Sequence, residues 1–254
     1  MRRVLGVLLL AAPLGCLAAD SVNVEPNTVL RLPAKGDSLT LERVSVAEQG
    51  ALLIPARVRE LRIGHLELAK NARLGVFPGQ QALHIDVREG RLADGSVIAA
   101  QGASGSFQKP ASAGRDLVLR LQNVAVSDLL VDVRGGVGAP GLDGLDGANA
   151  RAAGCLWGGS RPAGNGENGA DGQPGAPGGK VRFEVPQDFP MEVVRVRLEG
   201  GVGGAAGKPG KAGAKSGPRN CMVYSTTGGA AGKPGQPGVE GPRGSDGRLD
   251  VVRF

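Results

Sequence analysis

Cys155 and Cys221 carry the most definite chemistry in this 254-residue chain. The third cysteine, Cys16, lies in an apolar leader that export would either remove or lipidate. Cys155 and Cys221 therefore remain as a pair, and in an oxidising compartment a leftover pair predicts one disulfide. The other reactive side chains lack the spacing of a site. His65 and His84, the only histidines, have no cysteine or carboxylate at metal-ligand spacing. Glu67 and Glu89 are 22 apart and would stack on neighbouring coils of a repeat, as a glycosidase-like face requires, but so would any two surface residues one repeat apart. Gly136-Val137-Gly138-Ala139-Pro140-Gly141 matches G-x-G-x-x-G, yet the GLDGLDG that follows cannot form the helix whose N-terminus would face a pyrophosphate. Pro140 stands where a calcium-binding nonapeptide has Asp, and Asp143 and Asp146 read as solvated charge. No catalytic residue, cofactor or metal is expected.

These residues must be positioned by elements of unusual composition. With 44 Gly, 17 Pro and only 3% aromatic residues, little of the chain can form a conventional close-packed core. Residues 1–19 have two arginines, an apolar run and then small residues, the layout of an export signal. Leu17-Ala18-Ala19 suits ordinary cleavage. Leu14-Gly15-Cys16 resembles the end of a lipoprotein signal with lipid on Cys16, although Pro13 occupies the usual Leu position. The formal charge of +6 is scattered and not interleaved with aromatics, which argues against a nucleic-acid partner.

Residues 20–133 show a hydrophobic repeat. Leu39, Leu61 and Leu83 are 22 apart, as are Leu41, Ile63 and Ile85, and Ile54, Val76 and Ile98. Steps of two, three and two recur within Leu39-Leu41-Val44-Val46 and Leu61-Ile63-Leu66-Leu68, which indicates strand alternation with a corner or bulge at the step of three. The predicted fold is all-β: a short parallel β-solenoid of about 22-residue coils, with QGASGSFQKPASAG at 101–114 as a loop inserted between coils.

Residues 134–254 read as two copies of one long excursion, about 134–185 and 199–254, interleaved with the last solenoid strands. LLVDVRGGVG at 129–138 matches VRVRLEGGVG at 194–203, and each copy passes through a cysteine before returning into a strand. Gly-X-X triplets begin at Gly138, Gly166, Gly207 and Gly232, in runs too short for a three-chain collagen helix to offset its ordering entropy. The alternative is a side-by-side bundle of extended threefold helices folded from one chain as glycine-rich polyproline-II/polyglycine-II hairpins. Disorder from the Gly and Pro content is the competing reading.

Each excursion ends in an apolar tip. Leu156 and Trp157 follow Cys155, and Met222 and Tyr224 lie within three residues after Cys221, so a disulfide would bring the only Trp and the only Tyr together. Either these residues form a contact patch for sugar or protein, or they cover the disulfide as a small core.

The GAPGLDGLDG and GKPGQPGVEGPRG runs resemble bacterial collagen-like exported proteins. The alternation of GGxGxxGxxG segments with strands is similar to the polyglycine-II bundles of phage tail-fibre adhesins and the Obg glycine-rich domain. The resemblance implies architecture and an exported location: periplasm, outer surface or extracellular. A GTPase is excluded, because no G-x-x-x-x-G-K-[ST] occurs. The expected function is that of an exported, non-enzymatic structural or adhesive protein, whose partner is a protein or glycan at a cell surface or matrix. Its alternatives are an envelope-anchored lipoprotein scaffold, touching the membrane only through lipid on Cys16, and a carbohydrate-active solenoid enzyme.

Overall fold

The structure, a computed structural model, describes residues 21–33 and 36–254. The export signal at 1–19 and Cys16 lie outside the described residues. Thirteen strands follow in chain order: β1 Ser21–Val24, β2 Val29–Arg31, β3 Ser38–Val46, β4 Ala51–Ile54, β5 Glu60–Leu68, β6 Arg73–Val76, β7 Leu83–Leu92, β8 Ser96–Ala99, β9 Leu117–Val126, β10 Leu129–Asp132, β11 Val181–Val185, β12 Val194–Arg197 and β13 Leu249–Arg253. Odd-numbered strands form a seven-stranded sheet and even-numbered strands a six-stranded sheet, each ordered along the chain, with every pairing parallel. The protein is thus all-β, and the chain changes sheet at each successive strand.

Alternation decides which residues face inward. Leu61, Ile63, Leu66 and Leu68 of β5 are buried beneath Leu41, Val44 and Val46 of β3, and Phe183 and Val185 of β11 continue the same aliphatic layer. The step of three does not break these strands. Each long strand runs through it, and the registered pairs skip Glu42, Gly64, Arg88 and Gln122, one bulge-like residue in each of β3, β5, β7 and β9.

The repeat is less even than the sequence columns imply. Leu39 pairs with Leu61 at 22 residues, but Leu61 pairs with Ile85 at 24, and Leu83 pairs with Leu117 at 34 rather than with Leu119. In the second sheet Ile54 meets Val76, whereas Ile98 meets Leu74. A slip of two residues leaves the same faces inward, so hydrophobic pattern alone cannot detect it; only a slip of one would expose the core. The extra residues lie in the corner between β6 and β7. That corner is held by Arg115, which is 1% exposed. Its guanidinium donates to the carbonyls of Gln81 at 2.9 Å, of Phe77 at 3.4 Å and of Val58.

The glycine-rich residues leave the sheets as four extended segments: 133–150 and 162–180 of the first excursion, 198–217 and 228–248 of the second. Gly135, Gly138, Gly141, Gly144 and Gly147 donate to carbonyls of the second outgoing segment, from Glu199 to Lys211, at 2.8–3.0 Å. Gly201, Gly204, Gly207 and Gly210 donate to the first returning segment at 2.8–2.9 Å, and Gly235, Gly238, Gly241 and Gly244 donate to the second outgoing segment at 2.9–3.0 Å. One chain therefore satisfies its own glycine amides, as buried backbone donors require. The 101–114 segment is more than an inserted loop. Its Gly102 and Gly105 amides donate to Arg134 and Val137, so it docks as a short extra member at the base of the bundle.

Six of the amides between the glycines pair with side chains of a neighbouring segment. Lys208, Lys211 and Ala214 donate to the side-chain oxygens of Asp143, Asp146 and Asn149 at 2.7–2.9 Å. Lys233, Gln236 and Val239 donate likewise to Asn165, Asn168 and Asp171 at 2.7–2.8 Å. Asp143 and Asp146 are thus structural acceptors rather than simply solvated charges. Pro209, Pro234 and Pro237 take the next position, where a proline has no N–H to satisfy.

Candidate functional site

At the far end of the bundle, Cys155 and Cys221 form a disulfide with a Cα–Cα distance of 5.7 Å. Such a bond persists in an oxidising compartment. Among the described residues no helix is long and apolar enough to cross a membrane.

Two turns carry the tip. Gly154 N–H donates to the Gly158 carbonyl at 3.1 Å, and Cys221 N–H donates to the Tyr224 carbonyl at 2.8 Å. Antiparallel bridges between Arg151 and Arg161 and between Asn220 and Ser225 close their necks. The turns are tied to each other by the disulfide, by the Tyr224 hydroxyl donating to the Cys155 carbonyl, and by the Thr226 hydroxyl donating to the Ala153 carbonyl at 3.1 Å. The turn centres then hold Leu156-Trp157 and Met222-Val223, where glycine, asparagine or aspartate usually serves the turn itself.

Their exposure separates the two sequence readings of the tip. Leu156 is 87% exposed, Trp157 88%, Met222 103% and Val223 92%, values incompatible with a small core over the disulfide. Tyr224, at 51%, is the one member held in place, through its hydroxyl. Val223 belongs with the four tip residues singled out by sequence. The signal that would have found it is the continuous Met-Val pair between Cys221 and Tyr224.

The other sequence candidates are dispersed. Glu67 pairs in register with Arg91 and Glu89 with His65, so the two carboxylates do not stack, a direct result of the 24-residue step. His65 Nδ1 lies 4.0 Å from Glu89 Oε2 at the surface. His84 lines a shallow groove of about 450 Å³ on the seven-stranded sheet with Glu60, Asp86, Arg120, Arg182 and Glu184. The acidic groups there have partners: Arg182 and Arg120 reach Glu184 at 3.1 and 3.8 Å, Arg62 reaches Glu60 at 2.5 Å, and Gln122 donates to Asp86 at 3.0 Å. The Gly136–Gly141 run belongs to the bundle, with its glycine amides bonded to neighbouring carbonyls.

An ion pair between buried Asp132 and half-buried Arg134 lies at the bundle's base. Burial alone would raise the Asp132 carboxyl, but hydrogen bonds from Arg134, with Nη2 at 2.8 Å, and from Gln101 outweigh it and hold the carboxyl below its usual range. The same pairing raises the Arg134 guanidinium. This pair fixes the first glycine-rich segment where it leaves β10.

No protein family, no curated protein and no solved structure matches this chain.

Proposed function

We propose that the protein is an exported, non-enzymatic contact protein: a two-sheet parallel β-solenoid base, a stalk of the polyglycine-II type, and an apolar tip that meets a surface. The strand order supports the solenoid reading, since successive strands alternate between two parallel sheets. The glycine amide ladders support the stalk reading. The observation that carries the function is the near-complete exposure of Leu156, Trp157, Met222 and Val223 on a cross-linked tip. Side chains of this size are held in water at a cost unless they serve contact.

The test is adsorption of the labelled chain to intact cells and to immobilised matrix, comparing wild type with a Trp157→Ser/Met222→Ser variant whose disulfide is verified by non-reducing mass analysis. Loss of adsorption with the fold intact is the expected result. Equal adsorption by the two proteins would remove the tip from the function.

A further inference from the structure

The apolar tip is accompanied by charge of one sign. Between residues 147 and 166 the only charged side chains are Arg151 and Arg161, and between 212 and 232 they are Lys215 and Arg219. All four are exposed, and none pairs with a carboxylate among the described residues. The Arg151–Arg161 bridge sets two of them side by side at the neck of the first turn, while Thr226 N–H bonds the Arg219 carbonyl at the neck of the second. Acids return only further down the bundle, at Asp143, Asp146, Glu167 and Asp171. Along its axis the stalk therefore runs from an apolar end, through a cationic collar, to a shaft of mixed charge.

We propose that this end docks on an anionic lipid surface, with Leu156, Trp157, Met222 and Val223 entering the headgroup–acyl boundary and Arg151, Arg161, Lys215 and Arg219 meeting phosphate. The inference rests on reading the tip as the contact site. An apolar protein pocket would use the four large side chains and leave four unpaired cations without a role. An acidic glycan would use the cations and leave Leu156, Met222 and Val223 in water. A lipid surface uses both, since apolar burial and attraction to anionic headgroups act together at an interface. Trp and Tyr suit that depth because one end of each ring is apolar and the other polar.

The chain's only Trp lies at the tip, so its emission reports this contact and not adsorption elsewhere. The full chain is titrated with vesicles of phosphatidylcholine alone and with a phosphatidylglycerol fraction, and Trp157 emission is read with and without brominated lipid. A blue shift with quenching on anionic vesicles only, weakened by salt, is expected. Met222→Ser/Val223→Ser should lower the partition constant by about 100-fold, from ~1.5 kcal/mol per buried side chain at 1.4 kcal/mol per decade. Arg151→Gln/Arg161→Gln should lower it about 30-fold, from ~1 kcal/mol per cation. An equal response to neutral vesicles overturns the proposal. So does no response to any vesicle, and if tip variants still lose cell adsorption in that case, the contact reading stands with a protein or glycan as its target. If neither vesicles nor cells distinguish the variants, both readings fall.

Discussion

Gly204→Ala should unfold the stalk's centre, while Gly217→Ala should be harmless or stabilising, although both replace a glycine of the same excursion by the same residue. Gly204 is buried where three segments converge. Its amide donates to the Gln173 carbonyl at 2.8 Å, its carbonyl accepts from Gly241 at 2.9 Å, and Gln173 N–H donates to Ala139 at 2.8 Å beside it. A Cβ on Gly204 would overlap the Ala139 carbonyl and crowd the Gln173 nitrogen, all of them backbone atoms that cannot rotate away. Making room parts the segments and breaks these three hydrogen bonds, at about 1 kcal/mol each and more where a donor is left buried and unpaired, so the expected loss is about 3–5 kcal/mol. A Cβ on Gly217 meets nothing within 4 Å, and its φ lies outside the left-handed region. Alanine there removes unfolded-state freedom and should add ~0.4–1 kcal/mol. Urea unfolding followed by circular dichroism measures both. The reasoning is refuted if Gly204→Ala lies within about 1 kcal/mol of wild type, or if Gly217→Ala is equally damaging.

Cys155→Ser/Cys221→Ser should lower stability by about 4 kcal/mol on the chain-entropy relation, given a sequence separation of 66, read as a drop in the urea midpoint that reductant reproduces in wild type only. Arg115→Met should cost about 3 kcal/mol or more, because three corner carbonyls lose their donor. Amide exchange in the β4–β5 and β6–β7 corners should rise with it, and unchanged exchange there would reject the pinning role. Asp132 is held below its unfolded pKa of about 3.9, so the stability it contributes is present above that pH and is lost as pH falls through the lower folded value. Asp132→Asn should therefore flatten the pH dependence of the urea midpoint below about pH 4, and an identical slope in the two proteins would assign acid sensitivity elsewhere.

The all-β character, the inward faces of β3 to β9 and the Cys155–Cys221 bond were legible in the sequence, because each rests on a local rule. Alternation in Leu61-x-Ile63 specifies a face whatever the partner strand, and two leftover cysteines have only each other. Register was not legible. Pairing Leu61 with Leu83 or with Ile85 buries the same kind of side chain, and the decision lies in the length of the corner at 77–82 and in Arg115, which is far from it in sequence. That single slip also separates Glu67 from Glu89, so the register decides which charges meet as well as which side chains are buried.

Asp143 and Asp146 show the same limit from the other side. An isolated aspartate in a glycine-rich run has no local partner, and a solvated charge is the reading that such isolation supports. Its role appears only when a second segment supplies an amide 65 residues away. The pattern was nevertheless present twice over: Asp143, Asp146 and Asn149 in one segment, and Asn165, Asn168 and Asp171 in the next, each immediately ahead of a glycine or alanine and each three residues from the last. Opposite the first of these sets, and twice opposite the second, stand a residue with an N–H to offer and then a proline with none, in Lys208-Pro209, Lys233-Pro234 and Gln236-Pro237. A collagen-like triplet chooses its residues for an axis shared by three chains. Here the choice follows from pairing glycine amides, and a recurring set of the amides between them, against neighbouring segments of the same chain, which holds the extended segments together with few large apolar side chains.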